Sequence, residues 1–126
     1  MAANMTIPKN TREAWIVLAE VSKYMQTIEY KELADEIAKI THEPPPAAVS
    51  LGVPLGYIRD SICRERNIPW LNALAVSKET GLPGDSFLPH GSKLKPEEEF
   101  LWWRGMVLQV HAYPWEVLSL DELGLK

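Results

Sequence analysis

Tyr30-Lys31-Glu32-Leu33-Ala34, then Ala47-Ala48-Val49-Ser50-Leu51-Gly52, then Asn67-Ile68-Pro69-Trp70-Leu71-Asn72-Ala73-Leu74-Ala75-Val76-Ser77-Lys78-Glu79-Thr80-Gly81 form the stretch on which the fold turns. After Tyr30, Leu33, Ala34, Ile37 and Ala38 recur at helical spacing, with Lys31, Glu32, Asp35, Glu36 and Lys39 between them. This predicts an amphipathic helix over residues 31–40 with a solvated charged face. Pro44-Pro45-Pro46 ends it, and the last proline suits the first turn of a new helical piece over residues 47–51. Gly52 closes that piece, and Pro54 starts a helix to about residue 66. Leu55, Ile58 and Ile62 face inward on it, and Arg59, Arg64, Glu65 and Arg66 face water. Asn67 suits a left-handed residue after its end. Residues 71–77 read as a buried strand, and Lys78-Glu79-Thr80-Gly81 as a turn. Residues 82–87 read as a short, irregular return strand, limited by Pro83 and Gly84. Helix, helix and hairpin together predict a winged helix-turn-helix with a small β-hairpin wing.

Working outward, residues 1–9 are a short lead. Asn10 and Glu13 have capping-box spacing and open a helix to about Tyr24. Trp15, Leu18 and Ser22, with Val17, Val21, Tyr24 and Ile28 beside them, give that helix a wide inner stripe. Residues 27–30 alternate and read as extended. A loop is expected over residues 89–94, and Pro96 with Glu97, Glu98 and Glu99 opens another helix. On it Phe100, Trp103, Val107 and Val110 share a face, while Leu101, Trp102, Met106 and Leu108 cover much of the rest. So much apolar surface requires either a central position or a partner chain, making Trp102, Trp103 and Met106 a candidate partner interface. Residues 111–115 read as a turn or short strand, and residues 116–123 as a last short helix. The fold class is α+β, mostly helical, in one domain over residues 1–126. It has a winged-helix-like core at 27–88 and an added aromatic-rich C-terminal helical extension at 95–126.

A chain of 126 residues, 46% of them apolar, can bury a real core. Ten prolines argue for short elements rather than a long bundle. The formal charge of −4 works against non-specific duplex binding, which draws on neutralised phosphates. Between Glu43 and Lys93 five basic and five acidic residues balance, so any basic face there is local. One cysteine permits no internal disulfide and no Cys-rich zinc site. A reducing, cytoplasmic setting is expected, with no membrane partner, since no secretory leader pattern and no spanning run is present. Catalytic chemistry is not expected. Cys63 falls in a helix with no histidine at motif spacing. His42, His90 and His111 are scattered, and Glu97, Glu98 and Glu99 spread around a helix. No cofactor and no metal ligand set is read.

The central segment resembles the DNA-binding domain of O6-alkylguanine-DNA alkyltransferases and, more closely, the non-catalytic alkyltransferase-like proteins. Tyr30 matches the tyrosine that starts that family's helix-turn-helix. Residues 47–52 lie on its recognition-helix motif, and Ile68-Pro69-Trp70 on its cysteine motif. Residues 74–78 match the strand into the wing. The resemblance covers about half the chain and implies DNA binding. Trp70 stands where the nucleophile would be and Leu71 where its histidine would be, so alkyl transfer is not implied. Val49 replaces the arginine that enters the base stack, leaving an apolar wedge without a cation.

Two functions are therefore expected. The first is a non-catalytic DNA-binding module, with Tyr30, Ala48, Val49, Ser50, Arg59, Arg64, Trp70, Ser77 and Lys78 at the nucleic acid. The second is a small acidic protein-interaction module, such as a phage or mobile-element regulator of a host or defence protein. It would use a protein partner or a homodimer formed through the Trp102 helix.

Overall fold

Helix α1 spans Thr11–Lys23 in the computed structural model, which describes residues 6–84, 87 and 94–126. Its stripe of Ala14, Trp15, Val17 and Leu18 is buried, as the 3.6-residue spacing requires. The expected capping box is absent. Asn10 sits in the left-handed region at φ 74° and its side chain caps nothing. Asparagine tolerates that conformation, and it carries the side chain away from the cap position. Thr11 instead donates its hydroxyl to the Pro8 carbonyl at 2.7 Å.

Strand β1 is Ile28–Glu29, and α2 follows directly as Tyr30–Thr41. The Glu32 carboxylate accepts the Glu29 backbone N–H at 3.1 Å and so fixes the first turn of α2. Leu33, Ala34 and Ile37 are its buried face. His42 ends it at φ 60°, its N–H returning to the Ala38 carbonyl at 2.8 Å. A 3₁₀ turn over Ala48–Leu51 leads straight into α3 at Gly52–Tyr57, so Gly52 begins a helix rather than ending one. The helix widens to π geometry over Ile58–Arg64. Leu55, Ile58 and Ile62 are inward as expected, and Asn67 follows at φ 54°.

The segment read as one strand divides. Leu71–Leu74 is a buried 3₁₀ turn and only Ala75–Val76, β2, is extended. Strand β2 pairs in parallel with β1, Ile28 opposite Ala75 and Glu29 opposite Val76. Among the described residues β2 has this parallel partner and no antiparallel return strand, so the expected hairpin wing is not seen there. Ala75 and Val76 are both buried, a two-sided burial that suits an interior parallel pair better than an exposed wing. The chain then turns back at once. The Gly81 N–H reaches the Ser77 carbonyl, the Ser77 N–H reaches the Leu82 carbonyl, both at 2.8 Å, and Gly81 has φ 69°. Pro83 follows and has no N–H for a ladder. Among the described residues of 82–87 no strand forms. Of the loop expected at 89–94, only Leu94 lies within the described residues.

Helix α4 covers Pro96–Ala112, with the Lys95 N–H donated to Glu98 at 2.9 Å. It is part of the core rather than an addition to it. Trp103 donates its indole N–H to the Ala73 carbonyl at 2.8 Å. Ser22 of α1 and the Trp115 indole both donate to the Val110 carbonyl, at 3.1 and 2.8 Å. Trp15 and Trp115 meet edge-to-face with centroids 5.4 Å apart. One cluster of buried side chains runs from Ala14 to Leu125. The chain after α4 forms a short 3₁₀ turn at Trp115–Val117, not the longer helix expected over 116–123, although Leu123 is buried. The protein is mostly helical with a two-stranded sheet. Among the described residues no helix is long and apolar enough to cross a membrane.

Candidate nucleic-acid interface

The 3₁₀ turn between α2 and α3 presents Ala48, Val49 and Ser50 to solvent, and Val49 is 90% exposed. Leu51 anchors this turn by burying its side chain completely, so the three preceding residues stand on a fixed base. The Ser50 hydroxyl is occupied locally, donating to the Ala47 carbonyl at 2.7 Å. Val53, on the next turn, is also exposed. Small side chains at this tip let a second surface come close to the backbone.

Tyr30 is half-buried. Its hydroxyl accepts the Gly84 backbone N–H at 2.6 Å, which ties the start of α2 to the chain after the Gly81 turn. A Cβ added at Gly84 would lie 3.3 Å from that hydroxyl, so the approach suits glycine. Lys78 lies exposed on the turn and makes no ion pair among the described residues. Ser77 is half-buried, and its hydroxyl accepts the Glu79 N–H at 3.3 Å.

The arginines are less free than an outward helix face implies. Arg59 is only 11% exposed at its side chain. It grips Asp60 with Nε and Nη2, at 2.8 and 2.7 Å, and reaches the Phe87 carbonyl at 3.4 Å. Placed against Phe87, Arg59 acts as a strut, which corrects its reading as a water-facing contact. Arg64 bonds the same carboxylate at 3.2 Å and lies 5.8 Å from the centre of the Trp70 ring. It remains half exposed, so it keeps a cation at the surface beside an aromatic. Arg66 donates to the Glu122 carbonyl at 3.1 Å and secures the C-terminal turns.

Asp60 is held below its ordinary carboxylate range. The Arg59 hydrogen bonds are the largest cause, opposed in part by desolvation and assisted by Arg59's charge and by Arg64. Because the folded value is lowered, the contribution to stability is complete above about pH 4 and is lost as pH falls through the lowered value. Asp60→Asn is accordingly expected to lose less thermal stability than the parent between about pH 5 and pH 3. The carboxylate is partly solvated, so the difference is small, and melting curves across that range measure it.

Trp70 is half-buried at the meeting point of two regions that sequence reading kept apart. Its ring lies 4.8 Å from Trp102 and 6.0 Å from Phe87, and those two are 5.7 Å apart. The Trp70 N–H is directed at the Met106 sulfur, 3.2 Å away. Met106 is buried and Trp103 half-buried, both engaged within the chain, so neither supplies the free partner surface expected of it. Trp102 remains over a third exposed. One candidate from the DNA set and one from the partner set therefore share an aromatic shelf flanked by Arg64. Phe87, missed as a site residue, completes it. A cleft of about 240 Å³ adjoins it, lined by Leu82, Pro83, Gly84, Phe87, Phe100 and Trp103, among others.

Cys63, on the π-helical segment, is fully buried, and burial pushes its thiol up to about 12. Roughly one molecule in 10⁵ is then a thiolate at neutral pH, too few for nucleophilic chemistry. Cys63 is expected to resist a thiol reagent in the folded protein and to label fully in denaturant. The raised value also makes stability fall as pH climbs from about 9 towards 12, because only the unfolded chain ionises there. Among the described residues no three His, Cys, Asp or Glu side chains gather as a metal site. Comparison with protein-family models, with curated proteins and with solved structures finds no match to this chain.

Proposed function

We propose that this chain is a non-catalytic DNA-binding protein resembling the alkyltransferase-like proteins. It meets a duplex through the Ala48–Leu51 turn, with Lys78 and Arg64 contacting phosphate. The observation that carries this reading is the near-complete exposure of Val49 on a short turn whose base, Leu51, is locked in the core. An apolar side chain in that position contributes nothing to the core, and it has the shape of a wedge for a groove or a base step. The helix–turn–helix order of α2, the 3₁₀ turn and α3 brings the tip forward. The half-exposed Trp70–Trp102 shelf offers stacking area beside a guanidinium. Tyr30 and Arg59 brace the chain at Gly84 and Phe87, next to that shelf. With few cations available, binding is weak and salt-sensitive. Titration of a labelled duplex at low and moderate salt tests it, and affinity that ignores salt would refute it.

One observation favours a second reading, a protein-interaction module or homodimer. Leu101 and Leu108, seven residues apart on α4, are both more than 60% exposed and face the same way. Light scattering of the parent and of a Leu101→Ser, Leu108→Ser variant separates the two readings.

A further inference from the structure

We propose that the groove between α1 and α2 is a docking site for a basic amphipathic helix of a partner protein. The groove encloses about 420 Å³. Ile16 and Val21 line it from α1 and Ile40 from α2, while Glu20, Glu32 and Glu36 stand among them. Ile40 is a third exposed, apolar surface that the chain itself leaves uncovered. Three carboxylates and no cation line the groove, so its occupant is cationic at the edges and aliphatic in the middle. Two of these carboxylates have a cation beside them, Lys23 at 3.6 Å from Glu20 and Lys39 at 2.7 Å from Glu36. Both are solvent-screened pairs within one helix, which an incoming lysine or arginine exchanges at little cost. Glu32 has no cationic partner among the described residues, because its carboxylate is taken up with the Glu29 N–H.

The occupant's form follows from the walls. Two packed helices offer ridges that a third helix can fill with side chains at i and i+4. From Glu32 to Ile40 the α2 wall is about 12 Å long at 1.5 Å per residue, enough for roughly two turns of such a helix. The same carboxylates repel a duplex. This surface is therefore separate in kind from the one around Val49, and the inference stands whether or not the chain binds DNA.

A labelled helical peptide of about 14 residues, with leucine along one stripe and lysine elsewhere, is the probe. Fluorescence anisotropy at low salt is expected to show micromolar binding. The same peptide with glutamate for lysine should bind at least about tenfold more weakly. Glu32→Gln with Glu36→Gln should weaken the lysine peptide by about tenfold, while circular dichroism confirms that the helices persist. Glu97→Gln with Glu98→Gln changes the net charge equally on α4 and should leave binding unaltered. Equal binding of the two peptides would overturn the inference. So would equal losses from the two double variants, or a loss produced by Leu101→Ser and Leu108→Ser instead.

Discussion

Replacing Trp115 by alanine is expected to cost about 3–5 kcal/mol, the largest stability loss of any single substitution considered for this chain. Trp115 is buried, packs edge-to-face on Trp15, and donates its indole N–H to the Val110 carbonyl at 2.8 Å. Tyr113 also meets it obliquely, with centroids 4.6 Å apart. The Val110 carbonyl is among the last of α4 and gathers the Tyr113 N–H at 3.2 Å, the Ser22 hydroxyl and the indole, so the Trp115 bond helps to close the end of that helix. Alanine would remove the ring, the bond and the aromatic contacts together, and leave a cavity beside Trp15. Trp115→Phe restores most of the volume but not the donor, so it should lose markedly less. Urea unfolding of the three proteins measures the difference. A Trp115→Ala midpoint within error of the parent would mean that the C-terminal turns do not seal the core.

Val49→Glu is expected to abolish duplex binding, lowering affinity by at least about tenfold, while leaving stability within about 0.5 kcal/mol of the parent. The combination is informative because Val49 contributes almost nothing to the core. A glutamate there meets phosphate repulsion at the point of closest approach. Lys78→Ala should act differently. It removes one counterion-releasing contact, so the slope of log affinity against log salt should fall by about one. Arg59→Ala is a poor probe of contact, since that side chain holds Asp60 and the Phe87 carbonyl and its loss would disturb the frame. Fluorescence titrations at several salt concentrations, paired with thermal melts, separate contact from frame. Unchanged affinity in Val49→Glu would remove the proposed interface.

What could be read from residue order was local. Leu33 and Ile37, or Leu55, Ile58 and Ile62, announce their helices because spacing alone decides which side chains share a face. Asn67 and Gly81 fall at positive φ as their residue types suggest. The failures have physical causes of the same locality. Residues 71–77 are mostly apolar, broken by Asn72 and Ser77, and a short run without alternation does not distinguish a strand from a tight helical turn. Strand β2 also depends on β1, a partner that no nearby residue reveals. Arg59 reads as solvated until Phe87 is placed against it. Most of the candidate site was visible as isolated residues. Its aromatic centre was not, because Trp70 and Trp102 are joined by tertiary packing and share no periodicity. The same locality left α4 open between a central position and a partner face, a choice that the Trp103 bond into the turn before β2 decides for Trp103.

The two-residue ladder between Ile28–Glu29 and Ala75–Val76 has a consequence for how the molecule comes together. Its rungs join positions separated by α2, the proline bend and all of α3, so loop-closure entropy opposes the pairing until those helices have docked. The sheet is thus a late latch rather than a nucleus. A peptide ending anywhere between the two strands would hold half of the latch and have nothing to fasten it to.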